Sequence, residues 1–262
     1  MKQFEQSIQD LYQQLSFPQL AYVGQKIFKN LFYQDQQISK LVQKLIQDNV
    51  EAFYLLFNIT TDNCHIAPVQ TDEVEYLEIQ VLHIQLRNQL PQSKLTSLFE
   101  ALHKAIPYPL IIIATHKQQI QFSLAEKRIN QAERAHEKLV LQENVSSDWI
   151  VLTDLSEIEK EFIDHIRFNK LSRQNMLVLY KGFIKAVTAL NLANKTGRYQ
   201  WLTTDEALVQ QRQRLQEIQN LEKMIVELTT KMNKEVQFNS RVGLSIRIKK
   251  LNNDLSVLSR TE

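Results

Sequence analysis

Tyr76-Leu77-Glu78-Ile79-Gln80-Val81-Leu82-His83-Ile84-Gln85-Leu86-Arg87 alternates apolar and polar side chains. That period of two is the mark of a long β-strand. Ile79, Val81 and Leu77 point one way; Glu78, Gln80 and Leu82 form a wetter face. Upstream, Ala52-Phe53-Tyr54-Leu55-Leu56-Phe57-Asn58-Ile59 is a dense apolar run that reads as a buried strand. Between the two, Thr61-Asp62-Asn63 signals a turn and Cys64-His65-Ile66 opens a further strand. Downstream, Leu95, Leu98, Phe99, Leu102 and Ile106 recur at helical spacing and stop before Pro107. Leu110-Ile111-Ile112-Ile113-Ala114 is a core strand, which turns at residues 116–119 into Ile120-Gln121-Phe122-Ser123-Leu124 to make a hairpin. Short strands are expected at residues 138–141 and 149–152.

Both flanks of this region read as helical. Phe4, Ile8, Leu11, Tyr12 and Leu15 share one helix face before Pro18, and a second helix is expected over residues 35–48. After Thr153, Ser156 and Glu159 form a capping-box pattern. Ser172 is placed to cap a longer helix, and Gly197 to end it. Thr203-Thr204-Asp205-Glu206 then starts the C-terminal region. There Ile218, Leu221, Ile225, Leu228 and Met232 alternate spacings of three and four, as do Leu244, Ile248, Leu251, Leu255 and Leu258. The two seams fall out of register between Asn233 and Val242, so a helical hairpin is preferred to a single rod. The fold class is α+β: a mixed α/β body with a small sheet (residues 1–152), a helical segment packed on it (153–203) and a coiled-coil-type hairpin arm (204–262).

Composition narrows the function classes. The chain has 262 residues, with 44% hydrophobic and 23% charged, which suits a folded globular protein. Only four glycines and five prolines occur; phosphate-cradling loops need glycine, so nucleotide-binding folds are disfavoured. A net charge of +2 does not by itself call for nucleic acid. The single cysteine, Cys64, fits a reducing compartment, and no stretch resembles a signal peptide or a membrane span. A cytoplasmic protein without membrane contact is expected.

The order helix, strand, strand, strand, helix, strand is the core order of restriction-endonuclease-like nucleases. Such enzymes place an acid on the second strand and a Glu-x-Lys on the third to hold magnesium and activate water. Asp72, Glu75 and Glu78 are the available acids, but Glu78-Ile79-Gln80 lacks the lysine. The simpler reading of Glu78 is a polar-face residue. The six histidines make no metal-binding spacing, and neighbouring Cys64 and His65 would point apart on a strand. No metal and no cofactor is expected. Arg241, Arg247, Lys249 and Lys250 form an undiluted basic stretch, and Lys127, Arg128 and Arg134 a smaller one; either suits phosphate contact, though a solvated helix face is the commoner explanation. The seam leucines and isoleucines pack the arm on itself, or serve a partner subunit or a second copy of the chain.

Several stretches together resemble a bacterial family, the domains of unknown function numbered four-three-nine-one. They are residues 177–184 (Leu-Val-Leu-Tyr-Lys-Gly-Phe-Ile), Ala189-Leu190, Thr196-Gly197-Arg198-Tyr199, Glu75 to Leu82 with Leu86-Arg87, Ala105-Ile106-Pro107-Tyr108-Pro109, Ala125-Glu126-Lys127-Arg128, and Lys234 to Leu244. Gly243 stands where the family usually has a strong helix former, which points to an interruption in the second arm helix. Members tend to be encoded beside type III-like DNA methyltransferases and helicase-nuclease proteins. The resemblance therefore implies a non-enzymatic accessory or scaffold subunit of a restriction–modification-like defence system, docking a methyltransferase or helicase. It carries no catalytic residues. The alternatives are a metal-dependent nuclease, active or degenerate, and a DNA-binding module.

Overall fold

The computed structural model of the chain describes residues 2–34, 38–129 and 139–260. Asp35, Arg134 and Lys138, which entered the expectations above, lie outside them. The chain divides into two compact units, Met1–Val187 and Thr188–Glu262. The first contains helix α1 (Lys2–Leu15), strand β1 (Tyr22–Ile27), helices α2 (Asn30–Gln34) and α3 (Lys40–Asn49), strand β2 (Val50–Thr60) and a single helical turn, α4 (Thr61–Cys64). There follow β3 (Val69–Gln70), β4 (Glu75–Tyr76), β5 (Glu78–Leu86), helix α5 (Gln92–Ala105), β6 (Leu110–His116), β7 (Gln119–Ile129), β8 (Leu139–Ser146), β9 (Ile150–Val151) and α6 (Glu157–His165). Helix α7 (Met176–Thr196) crosses the division, so the helical stretch expected at residues 153–203 is shared between the units. The second unit adds α8 (Asp205–Lys234) and α9 (Phe238–Leu258). The class is α+β, as the periodicities indicate.

The sheet runs in the order β1-β2-β5-β6-β7-β8, with β9 beside β7. Every neighbouring pair is antiparallel except β5 and β6, which are parallel and joined through α5. A parallel pair needs such a crossover and buries both faces. One face packs Phe53, Leu82, Ile84, Leu110, Ile112 and Ala114 against Val42 and Ile46 of α3 and Leu95, Phe99 and Leu102 of α5. The register Tyr54–His83–Ile113–Phe122 defines the opposite face, where Phe122 meets Phe162 of α6 at 5.4 Å and Phe57 meets Phe17 at 4.8 Å. All seven residues of β6 are buried.

Several local expectations change for identifiable reasons. No strand begins at Cys64. Instead Thr60 and Asn63 form a capping box around one helical turn, which ends with His65 in the left-handed region. The long strand from Tyr76 is cut at Leu77, and its first residues pair in a separate two-stranded ribbon. Beyond Gln80 the supposedly wet face of β5 is dry, because α5 covers Leu82, Ile84 and Leu86. Ser39 caps the second helix, which begins at Lys40. Asn175, in place of Ser172, caps α7: its Oδ1 accepts from Val178 N at 2.9 Å. Lys127 is no surface cation. It lies 4% exposed in β7, and burial lowers its pKa to about 7. Its Nζ donates to the carbonyls of Ile106 and Tyr108, stapling the α5–β6 loop.

The α7 stretch has the length and apolarity of a membrane span, yet 67% of that window is buried within the protein, as in a core helix. Tyr180 shows why its inner face is specific. The hydroxyl lies between strands, accepting from Ala125 N (3.0 Å) and facing the carbonyls of Leu110 (2.9 Å) and Ala125 (3.1 Å). Replacing Tyr180 by Phe leaves a buried amide and a carbonyl unmatched. We expect Tyr180→Phe to lose about 2 kcal/mol of stability in urea unfolding; a loss within error would show that the hydroxyl is not a tie between β6, β7 and α7.

Candidate functional site

The C-terminal hairpin is built from clear local signals. Thr204 Oγ1 accepts from Ala207 N at 3.1 Å to start α8, and acids in its first turn and lysines in its last complement the helix dipole. The chain reverses over residues 235–237. Arg214 fixes the register by donating Nε to the Leu258 carbonyl (2.9 Å) and Nη2 to that of Arg260 (2.7 Å). Equal rise along both helices then sets Ile218 against Leu255 and Ile225 against Ile248. The break between seams is therefore a reversal, and α9 passes through Gly243 without interruption.

The seam is only partly covered. Ile218 is buried, whereas Leu221, Ile225, Leu228, Met232, Leu244, Ile248, Leu251, Leu255 and Leu258 are half-buried. Apolar residues also face outward: Val236 is 93% exposed, Phe238 77% and Ile246 66%, with Val242 exposed beside them. The basic residues do not share a face. Relative to Arg241, Lys249, Lys250 and Arg247 lie about 80°, 180° and 240° around the helix, and all four are exposed. A phosphate backbone following one side of α9 would meet only part of the set.

The acids weighed for metal chemistry do not converge. Asp72 and Glu75 are exposed, and Glu78 is half-buried at the start of β5. Glu78 sits among amides: its Oε1 accepts from Gln80 Nε2 at 2.8 Å and its Oε2 from Asn58 Nδ2 at 3.4 Å. Asn58 and Gln80 are register partners on β2 and β5. Among the described residues, no group of three His, Cys, Asp or Glu side chains is placed to hold a metal ion.

The feature that sequence reasoning missed is a cleft of about 890 Å³ in the first unit. Its floor is Tyr54, Leu56 and Phe57 of β2, His83 and Gln85 of β5, and Thr115 of β6; Gln9, Tyr12 and Gln13 of α1 and Tyr22 and Gly24 of β1 form its sides. Two irregularities shape it. Gly24 adopts φ +62°, within a register shift between Tyr22 and Gln25, and an added Cβ would lie 2.5 Å from the Tyr22 hydroxyl. A second shift, between Leu55 and Phe57, re-aims β2. His83 lies between Tyr12 (6.1 Å) and Tyr54 (6.0 Å), ring centroid to centroid, with Nε2 2.9 Å from Thr115 Oγ1. Burial lowers its pKa to about 4, so it is neutral at physiological pH. The Tyr12 hydroxyl is buried without a hydrogen-bond partner, and burial raises its pKa. The signal in the sequence was Tyr54, His83 and Gln85 standing at core-facing strand positions.

A family model described as Domain of unknown function (DUF4391) matches residues 15–255, and the chain belongs to that family. No curated protein and no solved structure matches the chain.

The His83 environment sets a pH dependence. The unfolded chain binds a proton near pH 6.5, whereas the folded chain refuses it until about pH 4. Stability contributed at His83 is thus complete above pH 6.5, is lost as pH falls toward 4, and changes no further below that; the loss is up to about 3 kcal/mol. His103, also held neutral by burial and then by the Lys127 charge, steepens the same window. Urea unfolding of the wild type and His83→Gln between pH 7 and 4 should show a shallower slope for the variant. Equal slopes would mean that His83 titrates normally.

Proposed function

We propose that this chain is a non-enzymatic accessory or scaffold subunit of a bacterial restriction–modification-like anti-phage defence system. It acts in the cytoplasm and docks a DNA methyltransferase or helicase through its C-terminal hairpin. The observation that carries the docking role is the uncovered apolar surface on the hairpin, from Val236 and Phe238 at the reversal to Val242 and Ile246 on α9. A two-helix hairpin by itself buries little apolar area, and beyond Ile218 the seam residues of α8 and α9 are only half-buried. A partner element laid on the side of α9 opposite the seam would cover Val242 and Ile246, which stand about half a turn around the helix from Leu244. The defence setting rests on family membership and on the gene neighbours implied by the resemblance.

A degenerate nuclease body is a second reading: the strand expected at Cys64 is absent, but α1, β1, β2, β5, α5 and β6 still give a helix, three strands, a helix and a strand, with α2 to α4, β3 and β4 interposed. Where active enzymes carry Glu-x-Lys this chain has Glu78-Ile79-Gln80, and the neighbour across the strand is Asn58. Amides replace both the cation and the second acid, and the body keeps the architecture as a scaffold. The spread of Arg241, Arg247, Lys249 and Lys250 around α9 disfavours DNA contact through this set.

Co-purification of the tagged chain with its genomic neighbours tests the docking role. Capture should persist with the wild type and drop at least tenfold for Phe238→Asp combined with Ile246→Asp, or on truncation at Asp205. Retention of every partner by the truncated chain would overturn it. The scaffold reading also predicts no magnesium-dependent cleavage of single- or double-stranded DNA. Cleavage by the wild type that disappears in Glu78→Ala would establish an active nuclease instead.

A further inference from the structure

The cleft between α1 and the β1–β2–β5 edge of the sheet has chemistry that the docking role does not use. Its walls are aromatic: Tyr22 meets Phe57 edge-on at 5.5 Å, and Tyr12 and Tyr54 flank the His83 ring. Its polar groups are neutral amides and hydroxyls, from Gln9, Gln13, Gln19, Gln85, Thr115 and Tyr12. Among the described residues that line it there is no carboxylate, lysine or arginine. The volume of about 890 Å³ lies within the range of small-molecule sites.

Two observations point to a ligand. Gln9, Gln13 and Gln19 set side-chain amides along a cleft whose other walls are aromatic rings. Tyr54, His83 and Gln85 also occupy a sheet face that elsewhere carries Ile59, Ile79 and Val81, where apolar residues would pack at lower cost. Aromatic rings offer platforms for a flat ring, and a glutamine amide presents a donor and an acceptor in one plane. That pair matches the adjacent acceptor and donor on the edge of a base.

We infer that this cleft binds a planar, uncharged, hydrogen-bonding heterocycle of the nucleobase class, stacked on its tyrosines and read at its edge by its glutamines. The base comes from a free nucleoside or from an unstacked position in a single strand. With no cation in the described lining, a phosphate attached to the base gains nothing from the cleft. Docking through the hairpin and binding here are independent, so either can fail alone.

Titration calorimetry on the full-length chain tests this, with the four nucleosides, their monophosphates, a short single-stranded oligonucleotide, glucose and toluene as probes. At least one nucleoside should bind, with its monophosphate within about threefold and with little dependence on added salt. Gln85→Ala, in the half-buried floor, should weaken binding about tenfold, the effect of one lost hydrogen bond. Gln13→Ala, at an exposed position that leaves the core intact, should weaken it as well. An oligonucleotide that competes with the nucleoside and binds more tightly identifies a strand as the source; an oligonucleotide that binds no better identifies the free nucleoside. Binding of glucose or toluene in place of nucleosides would overturn the inference. So would binding that needs the phosphate, binding unchanged in both variants, or no binding of any probe.

Discussion

The parallel pairing of β5 with β6 is the constraint from which the rest of the first unit follows. Two parallel neighbours cannot be joined by a tight turn, so α5 must cross between them, and their faces must both be kept from water. That requirement explains why all seven residues of β6 are buried. Ile111 and Ile113 need cover on one side as much as Leu110 and Ile112 need it on the other. It also explains the placement of helices: α3 and α5 on one face, α1 and α6 with the first part of α7 on the opposite one. Tyr180 then ties α7 to the strands through the carbonyl of Leu110 and the amide of Ala125.

The cover is incomplete toward the β1 edge, and there the alternation acquires chemistry. Ile79 and Val81 are buried on the face that carries His83 and Gln85 further along the same strand. Helix α1 leans on Leu11 and Leu15 there and leaves a gap lined by its glutamines. Backbone irregularities at Gly24 and near Leu56 keep the gap open. A chain with four glycines that spends one on a positive φ beside a tyrosine ring has built that edge specifically.

The hairpin obeys a different logic. Helix α8 starts at a side-chain cap and carries dipole-matched terminal charges, whereas α9 has neither; their register is held by Arg214 and by the seam, with Lys195 and Glu222 paired at 2.9 Å nearby. Its apolar residues exceed what one facing surface can use, so α9 carries Val242 and Ile246 outward as well as Leu244 and Ile248 inward.

The sequence by itself determined the elements whose signal is local. The periods of β2, β5, α5, β6 and the C-terminal helices, the Ser156–Glu159 capping box, the Gly197 stop and the reversal between the two seams are all written in neighbouring residues. Backbone hydrogen bonds and side-chain periodicity act over a few positions, which is why such features can be read along the chain. The tertiary structure decided everything that depends on what lies above a residue. It dried the second face of β5, buried Lys127 onto two carbonyls, turned residues 61–64 into a capped helical turn, and spread the basic residues of α9 around its axis. It also brought Tyr12, Tyr54, His83, Gln85 and Thr115, distant in the chain, to one cleft. Burial and convergence are properties of packing between elements, and no local pattern in the sequence encodes which element will cover which face.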